Sequence, residues 1–182
     1  MELQTIINAL MAEQRIKRLS ESEQLSLGEI KLKLEAISDK SKPIVYDFGM
    51  KPAECMSWRG SYCELGLGYS ESGGGTTNWN SEEVEWASDD GEYISYKQDE
   101  FQLPPNPTAQ NFLDMLNAVT GKVMVGYKGG DFTMHKNVAV YLGNYGEPSV
   151  VEYKGEDYAT VAIFDIIEEP EVIIIVTDKV EY

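Results

Sequence analysis

Arg59 stands in Ser57-Trp58-Arg59-Gly60-Ser61-Tyr62 and is the only arginine after residue 18 in a chain of formal net charge −16. A guanidinium presents its donors in a rigid fork, so beside Trp, Tyr and Ser it pairs bidentately with a carboxylate or phosphate, or stacks on a ring. Gly126-Tyr127-Lys128-Gly129-Gly130-Asp131-Phe132 adds a second cation: its glycines permit close backbone approach, and Lys128 is one of six positive charges beyond Arg59. If the two loops converge, Trp58, Arg59, Ser61, Tyr62, Tyr127, Lys128 and Tyr145 surround an isolated positive spot. That spot suits an anionic ligand with a ring, such as a nucleotide-derived molecule. The competing assignment has Arg59 bond a backbone carbonyl or Glu64 and tie loops together, with Lys128 exposed. Neither loop has GxxxxGK[ST] or strand-bound GxGxxG spacing.

Nucleophilic catalysis needs a base beside the nucleophile, and the one histidine, His135, lies in the turn-like Thr133-Met134-His135-Lys136-Asn137. Nothing like a nucleophile elbow surrounds Cys55, Cys63, Ser57 or Ser61, so no catalytic residue is assigned. One histidine and two scattered cysteines do not make a structural zinc pattern, and Asp89-Asp90-Gly91-Glu92 lacks calcium-loop spacing. No metal or cofactor is expected, and the cysteines read as reduced thiols.

The charge is unevenly placed. Residues 1–59 hold nine basic and nine acidic residues, whereas residues 60–182 hold six against twenty-two. Such a field repels nucleic acid and membrane surfaces and favours a basic protein partner. Much of it falls in an insertion at 71–107, where nine acids face one lysine across residues 71–100. There Glu82, Glu83, Glu85, Asp89, Asp90 and Glu92 are interleaved with Trp79, Trp86, Tyr93 and Tyr96, and aromatic residues commonly anchor interfaces. Glu82, Glu83, Glu85, Trp86, Asp89, Asp90 and Glu92 are therefore candidates for partner contact, the alternative being a plain solvated loop.

The elements that position these loops are legible from spacing. Leu3, Ile6, Ile7, Leu10 and Met11 predict an amphipathic helix over 2–18, appended to a single domain over 21–182 and suited to packing on the body or to homodimerisation. Ser26-Leu27-Gly28-Glu29 predicts a capping box opening a helix through Ile37. An echo follows 82 residues later: Thr108 matches Ser26, Phe112 matches Ile30, Leu116 matches Leu34 and Val119 matches Ile37. Each helix precedes a β-type run, Ile44–Tyr46 or Val123–Val125, then a glycine-containing loop and a second run, Tyr62–Tyr69 or Val138–Tyr145. This suggests a duplicated helix-strand-strand unit, against two unrelated amphipathic helices. Val150–Tyr153, Tyr158–Ile167 and Val172–Val176 predict three more strands of the main sheet. The expected class is α+β with N-terminal helices and a mainly antiparallel sheet. Composition is that of a globular domain, with no apolar run long enough to span a bilayer and no basic leader, so a cytoplasmic protein is expected.

Ser57–Tyr62 followed by Glu64-Leu65, together with Thr108–Asn117, Gly126–Met134 and Asn144-Tyr145-Gly146, resembles a group of small acidic accessory proteins of tailed bacteriophages. The likeness covers about residues 55–69 and 107–146. No activity is attached to the group, so the resemblance implies a setting: a phage-encoded protein made in a bacterial cytoplasm. Where similar proteins continue with Thr-Pro and a Trp before Asn-Tyr-Gly, this chain has Asn137-Val138-Ala139-Val140-Tyr141.

Overall fold

A computed structural model describes residues 24–57, 64–71, 84–87, 93–96, 101–125, 131–143 and 151–180. The expected helix over 2–18 lies outside them. Helix α1 spans Leu27–Ala36 and helix α2 spans Ala109–Val119. The main sheet contains β1 (Ile44–Tyr46), β2 (Lys51–Ser57) and β3 (Glu64–Ser70). After two short strands in the insertion, β4 (Val84–Ala87) and β5 (Tyr93–Tyr96), comes β6 (Phe101–Gln102). The second half supplies β7 (Val123–Val125), β8 (Asp131–Thr133), β9 (Ala139–Gly143), β10 (Val151–Tyr153) and β11 (Glu156–Ala159). Strands β12 (Val161–Glu168) and β13 (Ile173–Lys179) complete the described chain.

Both helices begin as their sequences require. Ser26 Oγ accepts the Glu29 N–H at 3.4 Å while the Glu29 carboxylate accepts the Ser26 hydroxyl at 2.7 Å and the Ser26 N–H at 2.8 Å, and these last two contacts, the hydroxyl's first, hold the Glu29 carboxyl below its usual range. Thr108 and Asn111 repeat the arrangement at α2. Ser26→Ala or Thr108→Ala leaves first-turn donors without a side-chain acceptor, and each is expected to cost about 1 kcal/mol in urea unfolding. Loss of less than about 0.3 kcal/mol from either would show that backbone carbonyls alone cap these helices.

The fold is α+β, and its sheet is mixed. The order is β1-β13-β12-β9-β3-β2-β6. Strands β1 and β13 are parallel, as are β3 and β9; the other neighbours are antiparallel. The mainly antiparallel expectation is thus corrected at the two places where separate parts of the chain meet. The Tyr46 N–H donates to the Met50 carbonyl at 2.7 Å, so β1 turns back along β2 and the strands come close to a closed barrel. Two expected main-sheet strands are elsewhere: Val151–Tyr153 pairs with β11 and Val123–Val125 with β8, each in its own two-stranded hairpin.

With the two-residue strand β6 set aside, replacing β1, β2 and β3 by β9, β12 and β13, and the reverse, returns the same circular order of the remaining six strands. Finer features obey that exchange. Strand β2 carries a register shift against β3 between Pro52 and Cys55, and β12 carries one against β13 between Ile163 and Asp165. Each helix is also capped by the other half. Leu27 and Gly28 donate their N–H groups to Val138 and Lys136 carbonyls at 2.9 and 2.8 Å, while Ala109 and Gln110 donate to Lys42 and Lys40 at 3.1 and 3.0 Å. The sequence echo is therefore realised with one reassignment: Val138–Tyr145 contributes the strand that stands in the place of β1, because the β7–β8 hairpin is inserted between α2 and that strand.

Burial follows the same plan. Leu27, Ile30 and Leu34 of α1 and Phe112, Leu116 and Val119 of α2 join barrel residues such as Tyr46, Leu65, Leu142, Ile163 and Ile175 in one core. Strand β13 is buried on both sides: Ile173 and Ile175 enter that core, while Ile174 and Val176 join Val45 and Val172 in a smaller cluster. A strand covered on both faces reads as the continuous apolar run Val172–Val176.

Candidate functional site

A twofold scaffold of helix and three strands needs only short connections, so the segments that break the symmetry carry the distinctive chemistry. Between β12 and β13 the connection is a tight turn, in which the Glu169 N–H donates to the Val172 carbonyl at 2.9 Å. The corresponding connection between β2 and β3 is the longer segment with Trp58, Arg59, Ser61 and Tyr62. A second departure is the β7–β8 hairpin, which carries Tyr127 and Lys128. The third is the acidic insertion after β3, and the fourth is the β10–β11 hairpin after β9.

Trp58, Arg59, Ser61, Tyr62, Tyr127, Lys128 and Tyr145 themselves lie outside the described residues, as do Glu82, Glu83, Asp89, Asp90 and Glu92. Glu85 and Trp86 lie on β4, where their backbones pair with Ser95 and Ile94 of β5. The roots of the two cationic loops are described. Ser57 pairs with Leu65 across β2 and β3, and Glu64 at the start of β3 pairs with Ala139 at the start of β9. The β7–β8 hairpin is closed at its base by the Gly121 N–H to the Met134 carbonyl at 2.7 Å and the Met134 N–H to Lys122 at 2.8 Å. From Met134 the chain runs directly into β9. Lys122, at that base, is close enough for its charge to favour the Cys55 thiolate, although burial of Cys55 dominates and pushes the thiol well up. Glu64, where the chain leaves the first loop, therefore lies beside Ala139, a few residues after the base of the β7–β8 hairpin, and the hairpin's two strands stand between that base and the loop with Tyr127 and Lys128.

Cys55 is a free, buried thiol. His135 is exposed, and its Nδ1 accepts the Asn137 N–H at 3.2 Å. Among the described residues no group of His, Cys, Asp and Glu is arranged to hold a metal, and no helix is long and apolar enough to cross a membrane.

At the end of β1 lies a polar cluster that sequence reasoning missed. Asp47 is 3% exposed and accepts the Thr177 N–H at 3.0 Å, the Thr177 hydroxyl at 2.5 Å and the Lys154 ammonium at 3.3 Å. With the threonine proton committed to the carboxylate, the Tyr153 hydroxyl donates to Thr177, whose Oγ1 and carbonyl oxygen lie 2.6 and 2.9 Å away. Lys154 and Gly155 at the hairpin tip have φ of +55° and +77°, as a two-residue turn with both central positions left-handed requires. That turn aims the Lys154 ammonium at Asp47 and over the Tyr153 ring, 4.5 Å from its centroid. Phe48 stacks on Tyr46 at 5.4 Å and meets Tyr69 and Tyr153 edge-on at 5.2 and 5.7 Å. Burial raises the Asp47 carboxyl above its usual range, with Lys154 and Thr177 pulling the other way. A carboxylate enclosed by donors in this way clasps the hairpin to the barrel. In sequence, Asp47-Phe48-Gly49 reads only as an ordinary turn, and Lys154 as a surface cation.

No family model, no curated protein and no solved structure matches the chain.

Proposed function

We propose that the protein acts by binding: it is a phage-encoded accessory factor, working in the bacterial cytoplasm, that engages and inhibits a basic host protein of defence or nucleic-acid processing. The observation that carries this reading is the placement of the charge. The whole net charge of −16 arises after Arg59, and nine acids sit in one departure from the scaffold's symmetry. A two-stranded ribbon lies within that departure, and its strand β4 carries both an acid, Glu85, and an aromatic residue, Trp86, residue types that suit contact with a basic surface. The chain reads as two fused copies of a helix-and-three-strand unit, and a predicted helix over 2–18 supplies a route to a homodimer.

The reading is tested by capture from a bacterial lysate with the wild type and with a variant carrying Gln or Asn at Glu82, Glu83, Glu85, Asp89, Asp90 and Glu92. A partner retained by the wild type at low salt, released as salt rises and ignored by the variant is expected, since exposed charges are screened within about 10 Å at 0.1 M. Affinity indifferent to both salt and neutralisation overturns it.

A second reading is favoured by the pairing of Glu64, at the edge of the Arg59 segment, with Ala139, shortly after the β7–β8 hairpin that carries Lys128. In it the protein sequesters or acts on a nucleotide-derived anion, with Arg59 and Lys128 on phosphate and Trp58, Tyr62 or Tyr127 stacking the base. Nucleotides raising the melting temperature of the wild type but not of Arg59→Ala would support it, and equal shifts in both proteins would end it.

A further inference from the structure

We propose that two copies of this chain exchange halves about the Leu103–Pro107 hinge, giving a dimer of two barrels, each built from residues 24–103 of one copy and 107–180 of the other. The partner is a second copy of the chain because the surface each half offers is complementary to the other half. Strand β1 finds its parallel neighbour β13 in the second half, and β9 finds its parallel neighbour β3 in the first. The reciprocal helix caps cross the same divide, as do the Lys33–Asp165 ion pair at 2.8 Å and the Asp47–Thr177 clasp. Glu168 adds another crossing: it accepts the Ser38 N–H at 2.8 Å, the Ser38 hydroxyl at 2.6 Å and the Lys42 ammonium at 2.7 Å, contacts that pull its carboxyl down to about 2. Neither half encloses the core alone. Exchange reproduces each of these contacts between chains and alters only the hinge.

The hinge is made to open. Pro104, Pro105 and Asn106 are exposed. Leu103, Pro104 and Asn106 each precede a proline, which disfavours compact backbone and biases the segment toward extension. In the single-chain barrel the segment instead bends at Pro105–Asn106, where Lys51 holds it by donating to the Pro105 carbonyl at 3.2 Å and to Asn106 Oδ1 at 2.5 Å. Lys51 is thus a latch on the closed hinge. Removing it stabilises the exchanged form relative to the closed one without touching the core.

The test refolds the full chain at high concentration and separates species by size. Glu64→Cys with Ala139→Cys, in a Cys63→Ser background, places a thiol pair across the β3–β9 register; Val45→Cys with Ile174→Cys does the same across β1–β13. On a non-reducing denaturing gel the dimer fraction should run at twice the 20.4 kDa chain and the monomer fraction at one chain, with both pairs agreeing. Lys51→Ala should raise the dimer-to-monomer ratio about tenfold, two exposed latches contributing a factor of about three each. A dimer whose cross-links stay within single chains, or the absence of a dimer in both wild type and Lys51→Ala, overturns the proposal.

Discussion

Asp47→Ala should lower unfolding free energy by about 4 kcal/mol, a large share of the ~5–15 kcal/mol typical of a domain. The carboxylate is the acceptor for the Thr177 N–H and hydroxyl, both buried on β13, and for Lys154 at the tip of the β10–β11 hairpin. Leaving a buried donor without its acceptor costs about 1–3 kcal/mol, and two are affected. The Lys154 side chain is 22% exposed and finds water, so its lost ion pair contributes little. Asp47→Asn keeps one acceptor oxygen and should cost about half as much. The same pair of variants reads the carboxyl's titration. Because burial raises the folded-state value, the unfolded chain ionises first as pH rises. Asp47's contribution to stability therefore falls from about pH 4, the usual aspartate value, up to the raised folded value, and is level above it. In Asp47→Asn that slope should disappear. A loss below about 1 kcal/mol in Asp47→Ala at pH 7 would mean that the hairpin is held without the clasp.

Gly28→Ala should destabilise by about 2 kcal/mol, although alanine is the better helix former by about 1 kcal/mol. A Cβ at Gly28 would stand 2.9 Å from Lys136 Cβ and 3.0 Å from the Lys136 carbonyl oxygen, which also accepts the Gly28 N–H at 2.8 Å. Neither neighbour is the free end of a side chain, so backbone must move; overpacking of this kind costs about 1–3 kcal/mol, and a rigid backbone contact falls at the upper end, exceeding the ~1 kcal/mol propensity gain by about 2 kcal/mol. Gln110, which occupies the same place in α2, is exposed and already carries a side chain. Gln110→Ala should stay within about 0.5 kcal/mol of the wild type. Chemical denaturation of the two variants separates the effects, and a Gly28→Ala protein more stable than the wild type would show that this helix approach is loose.

The contrast between Gly28 and Gln110 shows how far local sequence reaches. The Ser26–Glu29 capping box and the start of the second helix at Thr108 were legible because a cap is an affair of four consecutive residues, and the apolar spacing behind each is a property of one helix face. The echo between the helices was legible for the same reason. Its continuation was misaligned by the β7–β8 insertion, since a short apolar run does not say which partner it will pair with. Asp47 was illegible because its environment is assembled from Tyr153, Lys154 and Thr177, more than a hundred residues away in sequence.

By itself the sequence determined the class of fold, the starts of α1 and α2, a main-sheet strand over Val172–Val176 and the concentration of negative charge after Arg59. These are set by short-range periodicity, local hydrogen bonding or simple composition. Only the tertiary structure decided that the sheet is mixed and nearly closed, that each half is completed by the other, and that Asp47 is enclosed by Thr177 and Lys154. Those outcomes depend on which strand edges meet, and edge pairing is chosen by burial across the whole chain, a sum that no local window contains.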